Sequence, residues 1–270
     1  MQSIARSRRF LAALLLGLPG PLAAQIDYRN LDDECPVLTE DAYPVERHAF
    51  EILVPYAYQR EHGGADLHAF TPELEYGIVR NGQLGVKLPL AGTQAGGDTD
   101  WGLAGLRVFG LYNFNTESRR LPALSARADL LLPVGSLGGD AARVSVKAIA
   151  TRSWGRSRFH ANAAWTFGDQ QQRTAVEPGE RWSYSMAVDR TLFRQSTLLV
   201  GEIVVLRAVR GDPVEVDAGL GVRYQWTTTT VFDLGVRRRL SQVAGPDIAI
   251  TVGFSHAFAV PWLMPRDARR

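Results

Sequence analysis

The chain is 270 residues long, with 30 Lys and Arg against 28 Asp and Glu, a formal net charge of +2, and 46% hydrophobic residues. Near-neutral charge, with arginines spread along the length and no basic block, argues against a nucleic-acid partner. A single cysteine, Cys35, excludes an internal disulfide framework.

In chain order, Arg6, Arg8 and Arg9 precede an apolar run from Phe10 to Leu18, then Pro19-Gly20-Pro21 and Leu22-Ala23-Ala24. That layout predicts a secretory signal peptide over residues 1–24, because the apolar run is well short of a spanning helix. Residues 25–46 form an acidic segment, expected in the periplasm and loosely ordered; Leu31 and Val37 also allow it to fold into a lumen as a plug. Cys35 lies beyond Asp32-Asp33-Glu34, too far from the apolar run for a lipoprotein acylation site. No later stretch is long and apolar enough to span as a helix, so membrane integration would use strands.

Residues 47–260 read as successive strands of period two. The clearest runs from Val214 to Trp226: Val214, Val216, Ala218, Leu220, Val222, Tyr224 and Trp226 share one face, with Glu215, Asp217, Gly219, Gly221, Arg223 and Gln225 on the other. Similar alternation marks Phe50 to Tyr58, Glu73 to Ile78, Phe159 to Gly168 and Ile248 to Phe258, whereas Asp100 to Phe114 and Ser196 to Ala208 carry apolar residues on both faces. Segmenting on turn signals gives about twelve strands of roughly ten to thirteen residues, long for a soluble domain and suited to a tilted membrane crossing. The predicted fold is all-β: a closed antiparallel up-and-down transmembrane β-barrel, with residues 261–270 as a C-terminal tail.

Connections alternate in length. Short links at Arg80-Asn81-Gly82, Gly155-Arg156-Ser157, Phe193-Arg194-Gln195 and Thr227-Thr228 suit the periplasmic end, and Asn81-Gly82 suits a primed two-residue hairpin turn. Longer links at Ala91 to Asp100, Gly135 to Asp140, Asp169 to Glu180, Arg210 to Pro213 and Ser241 to Pro246 suit the outer end. This orientation gathers Tyr56, Tyr58, Trp165, Phe167, Trp182 and Tyr184 at the outer rim, with Phe50, Tyr112, Phe114, Phe159, Tyr224, Trp226, Phe232, Phe254 and Phe258 at the inner one. Paired aromatic girdles are what two membrane interfaces select.

A charge facing lipid at mid-depth is costly, so mid-strand charges should face inward. The candidates for the lumen lining are the acids Glu51, Glu73, Glu75, Asp129, Glu202, Glu215, Asp217 and Asp233, and the bases Lys87, Arg107, Arg127, Arg143, Lys147, Arg223 and Arg237, with Asp189 and Arg239 on the same face. They could pair across strands and fill the lumen, or line a water-filled path and set its selectivity. Glu73 and Glu75, near Lys87 and Arg107, could bind a cation or make salt bridges. Arg152, Arg190 and Arg238 fall on the apolar register near strand ends, where snorkelling lowers the cost.

Enzymatic hydrolysis needs a nucleophile with a base beside it. Ser255 and His256 are adjacent on one strand and so point to opposite faces; His160 and Asn162 share a face without a serine in their strand; His48, His62 and His68 show no ligand spacing. No enzyme, cofactor or metal site is expected.

At Thr71-Pro72-Glu73-Leu74-Glu75-Tyr76-Gly77 the chain resembles the outer-membrane transporter family named for the meta pathway of phenol degradation. Gly96-Gly97-Asp98 leading into Gly105-Leu106-Arg107, and Leu131-Leu132-Pro133-Val134-Gly135, add to the resemblance, Val134 standing where such sequences often have Thr. The resemblance implies a barrel in the outer membrane serving uptake or efflux of a small, often aromatic or hydrophobic compound. Thr251, Gly253 and Phe258 resemble the signal read by the barrel-insertion machinery, although His256 takes a usually apolar position and a tail follows Phe258. The expected partners are outer-membrane lipid, that machinery and a small solute, with Asp169 to Glu180 as an outer gate. The competing expectations are a plugged structural or surface-interaction barrel and, less favoured, a lipid-modifying enzyme.

Overall fold

Alternating apolar and polar residues satisfy two environments at once when the sheet closes on itself, because closure pairs every backbone N–H and C=O. The computed structural model describes residues 27–61, 64–95, 98–168, 180–192, 196–208, 213–241 and 246–264. Its strand segments are β1 (Ala49–Leu53), β2 (Tyr56–Glu61), β3 (Asp66–Phe70), β4 (Glu73–Val79), β5 (Gly82–Lys87), β6 (Leu90–Ala95), β7 (Asp98–Leu103) and β8 (Leu106–Asn115). The chain continues through β9 (Ala123–Leu132), β10 (Arg143–Trp154), β11 (Ser157–Phe167), β12 (Arg181–Leu192), β13 (Thr197–Ala208), β14 (Glu215–Thr227), β15 (Thr230–Arg239) and β16 (Pro246–Ala259).

All pair antiparallel, each crossing with the next, and the last strand closes on the first: β16 meets β1 through Phe258 opposite Phe50, and β2 through Ile250 opposite Tyr58. The segments make twelve crossings, because four of them are broken in two. The breaks fall at Val54-Pro55, Thr71-Pro72, Leu88-Pro89 and Ala104-Gly105. Proline has no N–H to give the ladder. The preceding residue bonds the neighbouring strand instead: Thr71 N to Pro55 O at 3.1 Å, Leu88 N to Pro72 O at 2.9 Å and Ala104 N to Pro89 O at 2.8 Å. Gly105 adopts φ +120°, a conformation open to glycine.

The predicted link from Ala91 to Asp100 is largely strand. β6 and β7 pair from Leu90 opposite Leu103 to Ala95 opposite Asp98, so this crossing projects farther than the turn signals suggest. The Arg80-Asn81 hairpin is not primed, since neither residue has positive φ, and a register shift between Gly77 and Val79 absorbs the twist. Signal peptide residues 1–24, the segment 169–179 and the Phe193-Arg194-Gln195 link lie outside the described residues.

Outward faces are apolar. Leu220, Val222, Tyr224 and Trp226 on β14 are exposed, while Asp217, Gly219, Gly221 and Arg223 are buried. Trp165 lies directly opposite Trp182 at one rim, and Tyr224, Phe232 and Phe254 form a row across β14, β15 and β16 at the other. Arg152 donates to the backbone carbonyls of Ser118, Arg119 and Leu121 in the turn before β9, as snorkelling requires.

Candidate functional site: the occupied lumen

The barrel interior is filled by the chain's own N-terminal segment. Residues 27–48 run through the lumen before entering β1, and Leu31, Cys35, Thr39, Glu40, Asp41 and Ala42 are all buried. The segment therefore takes the lumen location and not the periplasmic one. Leu31 and Val37 pack on Ala187, Leu198 and Val200; Ala42 packs on Leu111, Ala123 and Ile149; Val45 packs on Ala49, Val231 and Ala257. The wall is shaped to receive it. A Cβ on Gly235 would strike the Pro36 carbonyl, one on Gly253 the Cys35 sulfur, and one on Gly77 the Glu46 backbone.

Polar contacts then fix the segment residue by residue. Leu38 N and Thr39 N donate to the Glu202 carboxylate at 3.0 Å, and the Thr39 hydroxyl donates to it at 2.8 Å. Glu40 N donates to Asn162 Oδ1 and Asn162 Nδ2 returns a bond to Glu40 O, both at 2.8 Å. Asn113 Nδ2 and Ser125 Oγ both donate to Ala42 O, and Val45 N donates to Gln83 Oε1 at 2.6 Å.

The acids of the segment meet the bases of the wall. Asp33 lies 2.9 Å from Lys147, 3.2 Å from Lys87, 3.6 Å from Arg107 and 3.7 Å from Arg127. Glu40 bridges Arg127 and Lys147, each at 2.9 Å. Asp32 and the wall's Asp233 share Arg223, each at 2.7 Å, and Arg223 also donates to the carbonyl of Asn30. Asp41 reaches Arg158 at 3.1 Å. Burial alone would raise the Asp33 carboxyl, but Lys147, Lys87, Arg127 and Arg107 outweigh it and hold it well below the usual carboxylate range. Asp32 goes the other way: burial pushes it up to about 7, only partly offset by Arg223, which also serves Asp233.

Of the sequence-predicted lining residues, Glu51, Glu73, Glu75, Lys87, Arg127, Asp129, Arg143, Glu202, Asp217, Arg223 and Asp233 are buried inside the barrel. Arg107, Lys147, Glu215 and Arg237 face the same way and are partly accessible. The structure brings Lys87, Arg107, Arg127 and Lys147 together around Asp33, with Asp129 on Arg127 at 3.0 Å. Glu73 is taken by Lys87 at 2.9 Å and Glu75 accepts from Gln83 Nε2 at 2.8 Å, so these two carboxylates are engaged by partners within the wall. Glu215, Asp217 and Arg237 sit apart from that group, Asp217 pairing with Arg237 at 3.2 Å. No group of three or more His, Cys, Asp or Glu among the described residues could hold a metal.

Sequence reasoning missed Arg158, Thr151, Asn113, Ser125 and Gln83. Arg158 was legible, because it precedes the outward Phe159 in strict alternation. Thr151, His160 and Asp189 form a hydroxyl–imidazole–carboxylate line, at 3.0 and 2.9 Å. Those are the ingredients of nucleophilic catalysis. Here Thr151 is wholly buried and its oxygen accepts the Ala42 N–H at 3.0 Å, so the trio acts as a strut against the segment.

Beside the segment lies a cavity of about 730 Å³. Asp33, Lys87, Arg107, Arg143 and Lys147 line it, along with Pro55, Pro89, Ala104, Leu106 and Leu131.

A family model described as "Putative MetA-pathway of phenol degradation" matches residues 50–258. Among solved structures, the chain is similar to the COG4313 outer membrane channel from Pseudomonas putida F1, with 14% identity and a TM-score of 0.62 over 81% of this chain and 98% of that one. It is also similar to the KdgM porin, with 12% identity and a TM-score of 0.54 over 77% and 99% of the two chains. The NanC porin gives 7% identity and a TM-score of 0.50 over 77% and 98%. At these identities the likeness speaks for the fold, that of an outer-membrane barrel. No curated protein sequence matches the chain.

Proposed function

The chain belongs to that phenol-degradation family of outer-membrane barrels, matched over residues 50–258, and on this premise we propose that it is a channel for a small compound, held closed by its own N-terminal segment. The observation that carries the reading is the occupant itself: one continuous segment fills the lumen, tied by side-chain contacts, beside a cavity of about 730 Å³. Displacing the segment would join that cavity to the space it vacates. The wall charges that now bind it would then face water and act on passing ions. Apolar cavity residues such as Leu106 and Leu131 suit the hydrophobic part of a solute. Insertion into the membrane through Thr251, Gly253 and Phe258 of β16 belongs to the same reading.

The density of buried contacts along the segment favours one rival, a permanently plugged structural barrel. Liposome swelling and single-channel conductance separate the two. Gly235→Leu puts a side chain where the Pro36 carbonyl sits, so it should drive the segment out of the lumen. The channel reading expects low, intermittent conductance in the native protein and large, lasting conductance in Gly235→Leu. An inserted Gly235→Leu barrel that passes neither ions nor sugars would establish the plugged alternative.

A further inference from the structure

We infer that Lys87, Arg107, Arg127 and Lys147 form a binding site for the carboxylate of a small solute, and that Asp33 occupies it as an internal stand-in. This inference rests on the channel reading and names its substrate class. The four bases come from four consecutive crossings of the wall, β5, β8, β9 and β10, and converge on one side chain of the N-terminal segment. They address its two oxygens separately: Lys147 lies 2.9 Å from Oδ1, while Lys87, Arg107 and Arg127 lie 3.2, 3.6 and 3.7 Å from Oδ2. A planar two-oxygen anion fits that division better than a halide does.

Among the described residues, the wall gives Lys147 no carboxylate of its own within ion-pair distance. Glu73 serves Lys87 and Asp129 serves Arg127. The carboxylates on Lys147 are Asp33 and Glu40, and both leave with the segment. Release of the segment leaves these cations facing the water of the lumen without their counter-ions, so the positive potential there draws another anion to the same point. Arg127 is already held in place, clamped by Asp129 and stacked 3.6 Å from the centre of the Phe109 ring. The site opens on the cavity of about 730 Å³, whose Pro55, Pro89 and Leu106 leave room for an apolar body behind the carboxylate. A carboxylate solute and Asp33 therefore compete, and the solute promotes its own passage.

Benzoate and its uncharged counterpart benzamide are the probes, used on the full chain in detergent and in planar bilayers. In Asp33→Asn, calorimetry should show benzoate binding about tenfold or more tighter than in the native protein, with no binding of benzamide. Adding Lys147→Gln should abolish that gain. On the native protein, millimolar benzoate should speed maleimide labelling of the buried Cys35, and benzamide should not; this arm needs no variant. Equal effects of benzoate and benzamide, or no gain in a folded Asp33→Asn protein together with no benzoate effect on Cys35, would overturn the site. Benzoate binding without conductance in any variant would sink the channel reading and leave the site standing, while conductance indifferent to benzoate would do the reverse.

Discussion

Glu202 makes a concentrated hold on the N-terminal segment and offers a sharp perturbation. Its carboxylate accepts the Leu38 and Thr39 N–H groups and the Thr39 hydroxyl. Glu202→Ala would strand the Leu38 and Thr39 N–H groups in a region that excludes most water, while the Thr39 hydroxyl keeps Ser185 Oγ at 2.9 Å, and each buried donor without an acceptor costs about 1–3 kcal/mol. Water entering the vacated space recovers part of that, leaving about 3 kcal/mol, or roughly a hundredfold shift in the ratio of docked to released segment. Cys35 reports the ratio directly: it is the single cysteine and is 1% exposed when docked. Burial also raises its thiol pKa, which suppresses the reactive thiolate in the docked form. If the segment opens and recloses faster than maleimide reacts, the labelling rate follows the released fraction. Glu202→Ala should thus label roughly a hundredfold faster, and Glu202→Gln, which keeps one acceptor oxygen, should fall between. An intact Glu202→Ala barrel that labels at the native rate would refute the idea that these contacts hold the segment.

Two further expectations follow from the same geometry. Asp32 has a raised pKa of about 7 when docked, so its contribution to docking is full below the ordinary value of 3.8 and fades as pH rises through about 7. Asp41, also raised, acts in the same direction. Asp33, held low, contributes above the ordinary carboxylate range and is lost only as pH falls through its depressed value. The closed fraction in conductance records should therefore rise from pH 8 to pH 5; a fall over that range would contradict the assignment. On the outside, Leu220 is 60% exposed in the middle of β14, and Leu220→Arg should cost about 2–4 kcal/mol in urea unfolding from lipid vesicles. A cost near zero would place that face away from hydrocarbon.

The wall was legible where each residue answers to a single environment. Along β14, every alternate side chain meets either lipid or the lumen, so periodicity alone assigned Asp217 and Arg223 inward. Legibility failed where a third partner intervenes. Ser196 to Ala208 reads as apolar on both faces because Leu198, Val200 and Val204 point inward; the first two pack on Leu31 and Val37 of the segment. Asp100 to Phe114 reads poorly for two reasons: Gly105 interrupts the alternation, and Leu111 packs inward against the cluster around Ala42. Apolar residues on the lumen face were thus the sequence's record of an occupant. The clustering of four bases on Asp33 was not legible, since their convergence depends on the pairing of β5, β8, β9 and β10.

The β6–β7 hairpin also settles how high the bilayer can reach. Among the described residues β7 has one strand neighbour, β6; its other edge meets the turn after β9, where Leu137 N donates to Leu103 O at 3.0 Å. An open strand edge cannot be immersed in hydrocarbon. On this flank the oily slab must end at or below Leu103, whose register row runs through Leu90 and Phe70 to Tyr56 of the outer girdle. The upper part of the β6–β7 hairpin therefore lies outside the hydrocarbon on this flank, so the barrel wall there continues past the edge of the oily slab.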